Sequence, residues 1–286
     1  MAMPILRDTA IGVTVPEQEF RWTDRDVRRY HDAVGWSGAD GTVLPTFAMT
    51  APGVFGVASP EFYRPQPPEV RFPGVRLELG TLLHREQEIR VHRPVPVAGA
   101  AISRSEIAEV EDLGTAAVLV QRSTLVGTDG VALVTGCSRI YARGAGGFGG
   151  PPDSSIAVAM PERAADAVSD TPTSPWQAVR YQRCGRGTSM RGNVHTDAAF
   201  AAAAGFPMPI LQGVCTYAIA CAAVLASALG ADARRVRRFS ARFLGVVFPG
   251  ETLRTRTWVD DEVCVFSTSV VARPGKPVLS GTLAFT

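Results

Sequence analysis

Apolar and polar residues alternate along this chain in short blocks, and the blocks fall into two sets of four. In the first set, alternating, β-branched runs at 86–91, 102–109, 116–123 and 131–141 predict strands. A helix-forming stretch, Asp26-Val27-Arg28-Arg29-Tyr30, precedes them, and Leu44-Pro45-Thr46-Phe47 opens an apolar segment running to 57. In the second set, 176–181 predicts a short helix and 209–225 a long apolar one. Strands follow at 238–244, 251–259, 262–271 and 278–285. The sets share a texture: IRVHRPVPVAGA at 89–100 and ARFLGVVFPGET at 241–252 each carry a strand, a bulky turn and a Pro or Gly break. The chain therefore reads as two diverged copies of one unit, at 1–146 and 176–286. Between them, 147–175 is rich in Gly, Pro, Ser and Ala and reads as a linker.

Composition narrows the class. The 286 residues are 46% hydrophobic and 20% charged, enough apolar material for a full core. A net charge of +2 gives no bulk electrostatic case for nucleic acid or a membrane surface. No signal segment or bilayer-spanning run is read, so a cytoplasmic protein is expected. Cys137, Cys184, Cys215, Cys221 and Cys264 form no CxxC pair and no metal-ligand spacing, which predicts reduced thiols and no metal. The GAGGFGG run at 144–150 has spacing like a phosphate loop, but it follows a strand and leads into the linker, so the nucleotide reading is weak.

The chemistry concentrates at 192–217, GNVHTDAAFAAAAGFPMPILQGVCTY. It holds His195, one of only four histidines, on a polar loop. An Ala-rich helical run, a Pro-broken turn and a helix opening at Gln212-Gly213 follow. A histidine beside a glycine-opened helix start joins a proton-transfer group to free backbone N–H donors, a pair suited to polarising a carbonyl and moving a proton beside it.

This stretch resembles the motif of the MaoC-like dehydratases and (R)-specific enoyl-CoA hydratases (hydratase 2), D-x-N-P-x-H-x-D followed by A-G-F-x-x-x-I-x-H-G. His195, Asp197, Ala204-Gly205-Phe206, Pro209-Ile210-Leu211 and Gly213 fall in register. Further resemblance lies in FRWTDRD near residue 20, VLPTF at 43–47, the start of the linker, and the ILQGVCTY and FPGE segments. It implies an α+β double hotdog, two repeats each with a central helix wrapped by an antiparallel sheet. It also implies hydration of an enoyl thioester to a (3R)-hydroxyacyl thioester, or the reverse. No cofactor is implied beyond CoA or phosphopantetheine as the substrate's carrier. An acyl carrier protein is an expected alternative source of substrate, and a homodimer is an expected assembly.

The motif departs from the family at its acid. Met190 stands where the resemblance places a catalytic aspartate, Gly192 stands for asparagine with Asn193 one place late, and Gln212 replaces a histidine. No Asp or Glu lies between Tyr181 and His195, so no local realignment restores the carboxylate. A thioether neither titrates nor binds water strongly. The resemblance makes His195 the proton-transfer group and Gly213 the oxyanion donor. Glycine at 213 equally suits close helix–sheet approach. Asn193 reads either as a water-orienting amide or as an Asx-turn residue. Gln212 reads either as a second donor to the thioester oxygen or as a bond across the repeat interface. Met190, Asp197 and Tyr217 are candidate substrate contacts. Asp197 reads either as a carboxylate substituting for the missing aspartate or as a helix N-cap, Asp40 in the equivalent first-copy loop reads either as a carboxylate reaching the site or as a turn residue, and Tyr217 and Cys215 suit the core. Arg234, Arg235, Arg237 and Arg238 form a basic cluster that suits either the phosphates of CoA or a solvated face.

Three functions remain open on these residues. The first is a hydratase or dehydratase working through His195 without the usual aspartate. The second is a repurposed hotdog enzyme of polyketide-like biosynthesis, performing isomerisation, elimination or cyclisation. The third is a non-catalytic hotdog subunit that completes a partner's tunnel or binds a ligand.

Overall fold

The computed structural model describes residues 5–38, 41–53, 63–65, 68–155, 158–185 and 190–286. The first half contains α1 (Arg7–Ala10), β1 (Thr14–Trp22), α2 (Asp24–Val34), β2 (Tyr63–Pro65), β3 (Pro68–Phe72), β4 (Val75–Glu78), β5 (Leu82–Val91), β6 (Gly99–Asp112), β7 (Ala116–Gly127) and β8 (Ala132–Arg143). The second contains β9 (Ala167–Pro172), α3 (Gln177–Gln182), α4 (Ala198–Ala203), α5 (Gly213–Ala228), β10 (Val236–Phe243), β11 (Thr252–Asp260), β12 (Val263–Val270) and β13 (Pro277–Phe285).

Ten strands form one sheet in the order β1-β6-β7-β8-β5-β10-β13-β12-β11-β9. Read outward from the β5–β10 seam, the two halves run through corresponding strands, so the duplication legible in the sequence is a pseudo-two-fold arrangement. The seam is antiparallel and joins the repeats through backbone pairing, with Phe239 opposite Ile89 and Arg242 opposite Glu86. β2, β3 and β4 form a separate small sheet over a second core that includes Ile5, Phe72 and Ile140.

The repeats differ at the centre. In the second, α5 lies against β9 through β13, and every residue from Cys215 to Leu225 is buried. Its apolar character on all sides is what such a site demands. In the first, the described counterpart of α5 is a 3-10 helix, Pro45–Thr50, also buried throughout. The apolar segment beyond 53 lies outside the described residues, as does Asp40.

The stretch read as a linker also holds structure. Its residues 167–172 form β9, an edge strand antiparallel to β11. Upstream, Asp153 and Ser154 lie against Arg139, which also pairs with the buried Glu111 and with Glu86. Arg85 reaches the same Asp153. The Gly-rich run at 144–150 serves an anion of the chain itself: the Asp112 carboxylate accepts N–H bonds from Gly114, Gly147 and Gly149, which hold its pKa below the usual carboxylate value. Backbone amides converging on an anion form a nest, and here the anion is a side chain.

Candidate active site

The loop carrying His195 is built from short polar contacts. Asn193 Oδ1 accepts the N–H groups of His195 and Thr196 at 2.9 and 3.1 Å, and Asn193 Nδ2 donates to Thr196 Oγ1. This is Asx-turn geometry. Thr196 Oγ1 donates in turn to the Met190 carbonyl at 2.7 Å. Asp197 caps α4, accepting from Ala199 and Phe200, and its other oxygen accepts the Gly192 N–H. Gly192 has φ +71°, a conformation that favours glycine. Both Asp197 oxygens are therefore engaged in shaping the loop, and the backbone donors hold its pKa down. Residues 186–189, including Gly187, lie outside the described residues.

His195 is tied to the approach to α5. Its Nδ1 lies 3.0 Å from the Ile210 carbonyl oxygen, and the Ile210 N–H donates to the Val194 carbonyl at 3.0 Å. A carbonyl only accepts, so Nδ1 carries the proton and Nε2 holds the lone pair of the neutral ring. Burial disfavours the imidazolium and lowers the pKa to about 4. At neutral pH His195 is thus a base with one defined tautomer.

Three residues past Ile210, α5 begins. Gln212 is its N-cap position and contributes no side-chain cap. The first N–H groups of a helix lack intrahelical acceptors and carry the positive end of the helix dipole. Gly213 and Val214 are half-buried, unlike the fully buried run from Cys215 to Leu225. A Cβ added to Gly213 would meet the Phe243 ring at 3.1 Å, which shows how close β10 comes to this helix start.

Several residues singled out in the sequence have other work. Gln212 directs its amide nitrogen to the Ala178 carbonyl and Gln182 Oε1, at 3.0 and 2.9 Å. Both amide hydrogens are used within the second repeat, so donation to a substrate oxygen and a bond across the repeat interface are both replaced by a tie to α3. Tyr217 is fully buried and donates to the Phe239 carbonyl at 2.6 Å, which makes it a core residue rather than a substrate contact. Cys215 is buried in the same core and its thiol pKa is pushed well up, so it is no nucleophile. Met190 is 38% exposed at the loop edge. Arg234 and Arg235 follow the C-terminal end of α5, a helix about 24 Å long at 1.5 Å per residue over its 16 residues, and Arg237 and Arg238 begin β10, whose opposite end brings Phe243 to Gly213. There Arg234 pairs with Asp232, Arg235 bonds the Thr286 carbonyl, Arg237 bonds the Arg234 carbonyl, and Arg238 pairs with Glu88.

One side chain that sequence reasoning missed is His84, on β5 of the first repeat. Its ring lies 4.8 Å from that of Phe243, the ring that covers Gly213. Its Nε2 is buried without a hydrogen-bond partner among the described residues, as is Gln212 Oε1. Burial lowers its pKa to about 4. Nothing local to residue 84 signals this position. It follows from the antiparallel β5–β10 seam.

A sheet duplicated about a β5–β10 seam, with a buried helix that opens beside a neutral histidine, is the double hotdog of acyl-thioester hydratases and dehydratases. Comparison with known proteins agrees. Residues 20–144 match the MFE-2 hydratase 2 N-terminal domain, and residues 157–278 match the MaoC-like domain. The enoyl-CoA hydratase ChsH3 of Mycobacterium tuberculosis is 40% identical, with 98% of each chain covered. The 3-hydroxyacyl-thioester dehydratase Y of the same organism is 35% identical, covering 93% of this chain and 92% of that one. A crystal structure of a MaoC-like dehydratase from Phytophthora capsici superposes with a TM-score of 0.83 at 24% identity, over 98% and 97% of the two chains. The chain belongs to the MaoC-like dehydratase and hydratase 2 family.

Proposed function

We propose that this protein adds water across the α,β-double bond of an enoyl-CoA, and in reverse dehydrates a 3-hydroxyacyl-CoA, with His195 as its proton-transfer group. The observation that carries this reading is the His195 Nδ1–Ile210 contact, which leaves Nε2 as the lone-pair nitrogen of a neutral ring held by a carbonyl three residues before the Gly213 helix start. The thioester oxygen binds the Gly213 N–H at the positive end of α5. As the water oxygen bonds Cβ, its proton passes to His195 Nε2, and charge gathers on the thioester oxygen as an enolate. The imidazolium then returns that proton to Cα as the enolate collapses. One H and one OH are added, and His195 ends neutral. Asn193 and Asp197 hold the loop that presents the ring.

This single-base route replaces the acid–base pair that the family motif implies, because Met190 supplies no carboxylate. The loss of one positioned acid or base costs about 10²–10⁴-fold in rate, so turnover slower than that of an intact motif is expected. The test is hydration of trans-2-enoyl-CoAs of graded chain length by the wild type and His195→Ala. Activity confined to the wild type supports the reading.

Met190 also favours a second reading, in which the same base and oxyanion site isomerise, cyclise or eliminate from a bulkier substrate. Absence of hydration across the whole panel, together with tight binding of a bulky cyclic ligand, would move the assignment there. Unchanged activity of the His195→Ala protein in complex with an intact relative would instead mark a non-catalytic subunit.

A further inference from the structure

An open groove of about 720 Å³ lies between α2 of the first repeat and α3 of the second, the two helices that follow the edge strands β1 and β9. Its walls are Arg25, Arg28, Arg29, Asp32 and Ala33 on one side and Arg180 and Arg183 on the other. Five arginines against one aspartate give the groove a formal charge of +4 (5 − 1), while the whole chain carries +2. Arg28 pairs with Asp24. Arg25, Arg29, Arg180 and Arg183 have no carboxylate partner among the described residues, although most arginines on this surface are paired. Arg25 and Arg29 stand four apart on one helix, where like charges repel. Converging cations of this kind raise the local concentration of anions and bind phosphate oxygens in bidentate fashion.

The position of α3 relates the groove to the helix start. One side of this helix faces the groove through Arg180 and, at its C-cap, Arg183. Its Ala178 carbonyl and Gln182 Oε1 receive the Gln212 amide at the start of α5. Groove and helix start are thus separated by one helix, a body about 10–12 Å across. A ligand that serves both carries its phosphates at a distance from its thioester. Acyl-CoA has that construction, with an extended pantetheine arm between the thioester and the diphosphate and 3′-phosphate.

We infer that the Arg25–Arg29–Arg180–Arg183 groove binds the phosphates of the 3′-phospho-ADP end of an acyl-CoA whose thioester lies at Gly213. This deepens the proposed function and rests on it for the identity of the thioester. The volume falls within the range of small-molecule sites. A carrier-protein substrate would place a single phosphodiester at the protein surface and would not need four converging guanidinium groups.

The test uses Arg29→Ala/Arg183→Ala, both exposed positions, with unchanged Tm as the control for folding. Calorimetry with free CoA and with 3′-dephospho-CoA is expected to show CoA affinity falling about tenfold for each guanidinium–phosphate pair removed, with wild-type affinity weakening as salt rises. In kinetics, the wild type is expected to show a much lower KM for an enoyl-CoA than for the matching enoyl-pantetheine, and the double variant to shrink that ratio toward unity. CoA affinity equal in wild type and variant overturns the proposal. So does a KM increase of the same size for both substrates, or a loss confined to turnover from an acyl carrier protein. Calorimetry needs no turnover, so a failed hydratase assay with intact CoA binding separates the groove from the reaction assigned to His195.

Discussion

His195 and Ile210 hold each other through adjacent contacts: ring Nδ1 to carbonyl oxygen at 3.0 Å, and Ile210 N–H to the carbonyl of neighbouring Val194 at 3.0 Å. Fifteen positions of chain separate them, occupied by the loop turn, α4 and a proline-broken segment. This clasp sets the imidazole tautomer and ties the ring to the segment leading into α5, so the proposed proton-transfer group and the proposed oxyanion donor are located by one short segment, 210–213.

The first prediction is a pH profile. With His195 as the proposed base and its pKa lowered by burial to about 4, the acid limb of kcat/KM is expected near pH 4, not near the ordinary histidine value of about 6.5. A limb at 6.5 would assign the essential base elsewhere. His195→Gln is expected to lose about 10²–10⁴-fold in kcat.

The second concerns Gly213. An added methyl meets Phe243 Cε1 and Cδ1 at 3.1 and 3.2 Å, so the ring must shift. Gly213→Ala is expected to lower kcat/KM with little change in Tm, because alanine suits a helix better than glycine by about 1 kcal/mol. Phe243→Leu in the same chain is expected to recover part of the loss. Additive losses in the double variant would show that the methyl acts on the substrate rather than through Phe243.

His84→Leu separates a site role from a structural one. The substitution removes a buried Nε2 that lacks a partner among the described residues, but also the ring's hydrogen bonds to the Gln87 side chain and the Glu86 backbone, so folding stability is expected to change little. A fall of about tenfold in kcat/KM with stability intact would place His84 in the substrate pocket. Unchanged kinetics would leave it as a packing residue beside Phe243.

Stability is expected to weaken on mild acidification. His31, His84 and His195 all have pKa values lowered to about 4, with burial as the leading cause in each. Between about pH 6.5 and 4 the unfolded chain takes up protons at these sites that the folded chain does not, and stability falls wherever the unfolded state binds more protons as pH drops. Urea midpoints measured from pH 7.5 down to 5 should decline. A flat series would contradict neutral burial of the three rings.

Much of the architecture was legible because it rests on local periodicity. The four strands of each half and the apolar helix emerge from alternation and β-branched runs, and their observed limits differ from the pattern by a few residues. The strands that escaped notice are β1, β9 and the small sheet β2–β4. β1 reads TVPEQEFRW and β9 reads AVSDTP, both sheet edges. An edge strand buries less of itself, so polar and proline residues survive in it and blur the period.

The amino-acid sequence alone determined the duplication, the buried helix, and the order His195, then Gly213, because each is carried by residues near one another in the chain. Only the tertiary structure decided what long-range contacts control. It turned the Gln212 amide to α3, buried Tyr217, tied Asp197 into its own loop, and set Arg234, Arg235, Arg237 and Arg238 between the C-terminal end of α5 and the start of β10. It also brought His84 to Phe243 across the seam and Arg29 toward Arg183 across the pseudo-two-fold. The physical reason is the same throughout. A hydrogen-bond donor or a charge takes the partner that folding places within reach, and that partner is set by the pairing of β5 with β10 and of α2 with α3, which no local pattern encodes.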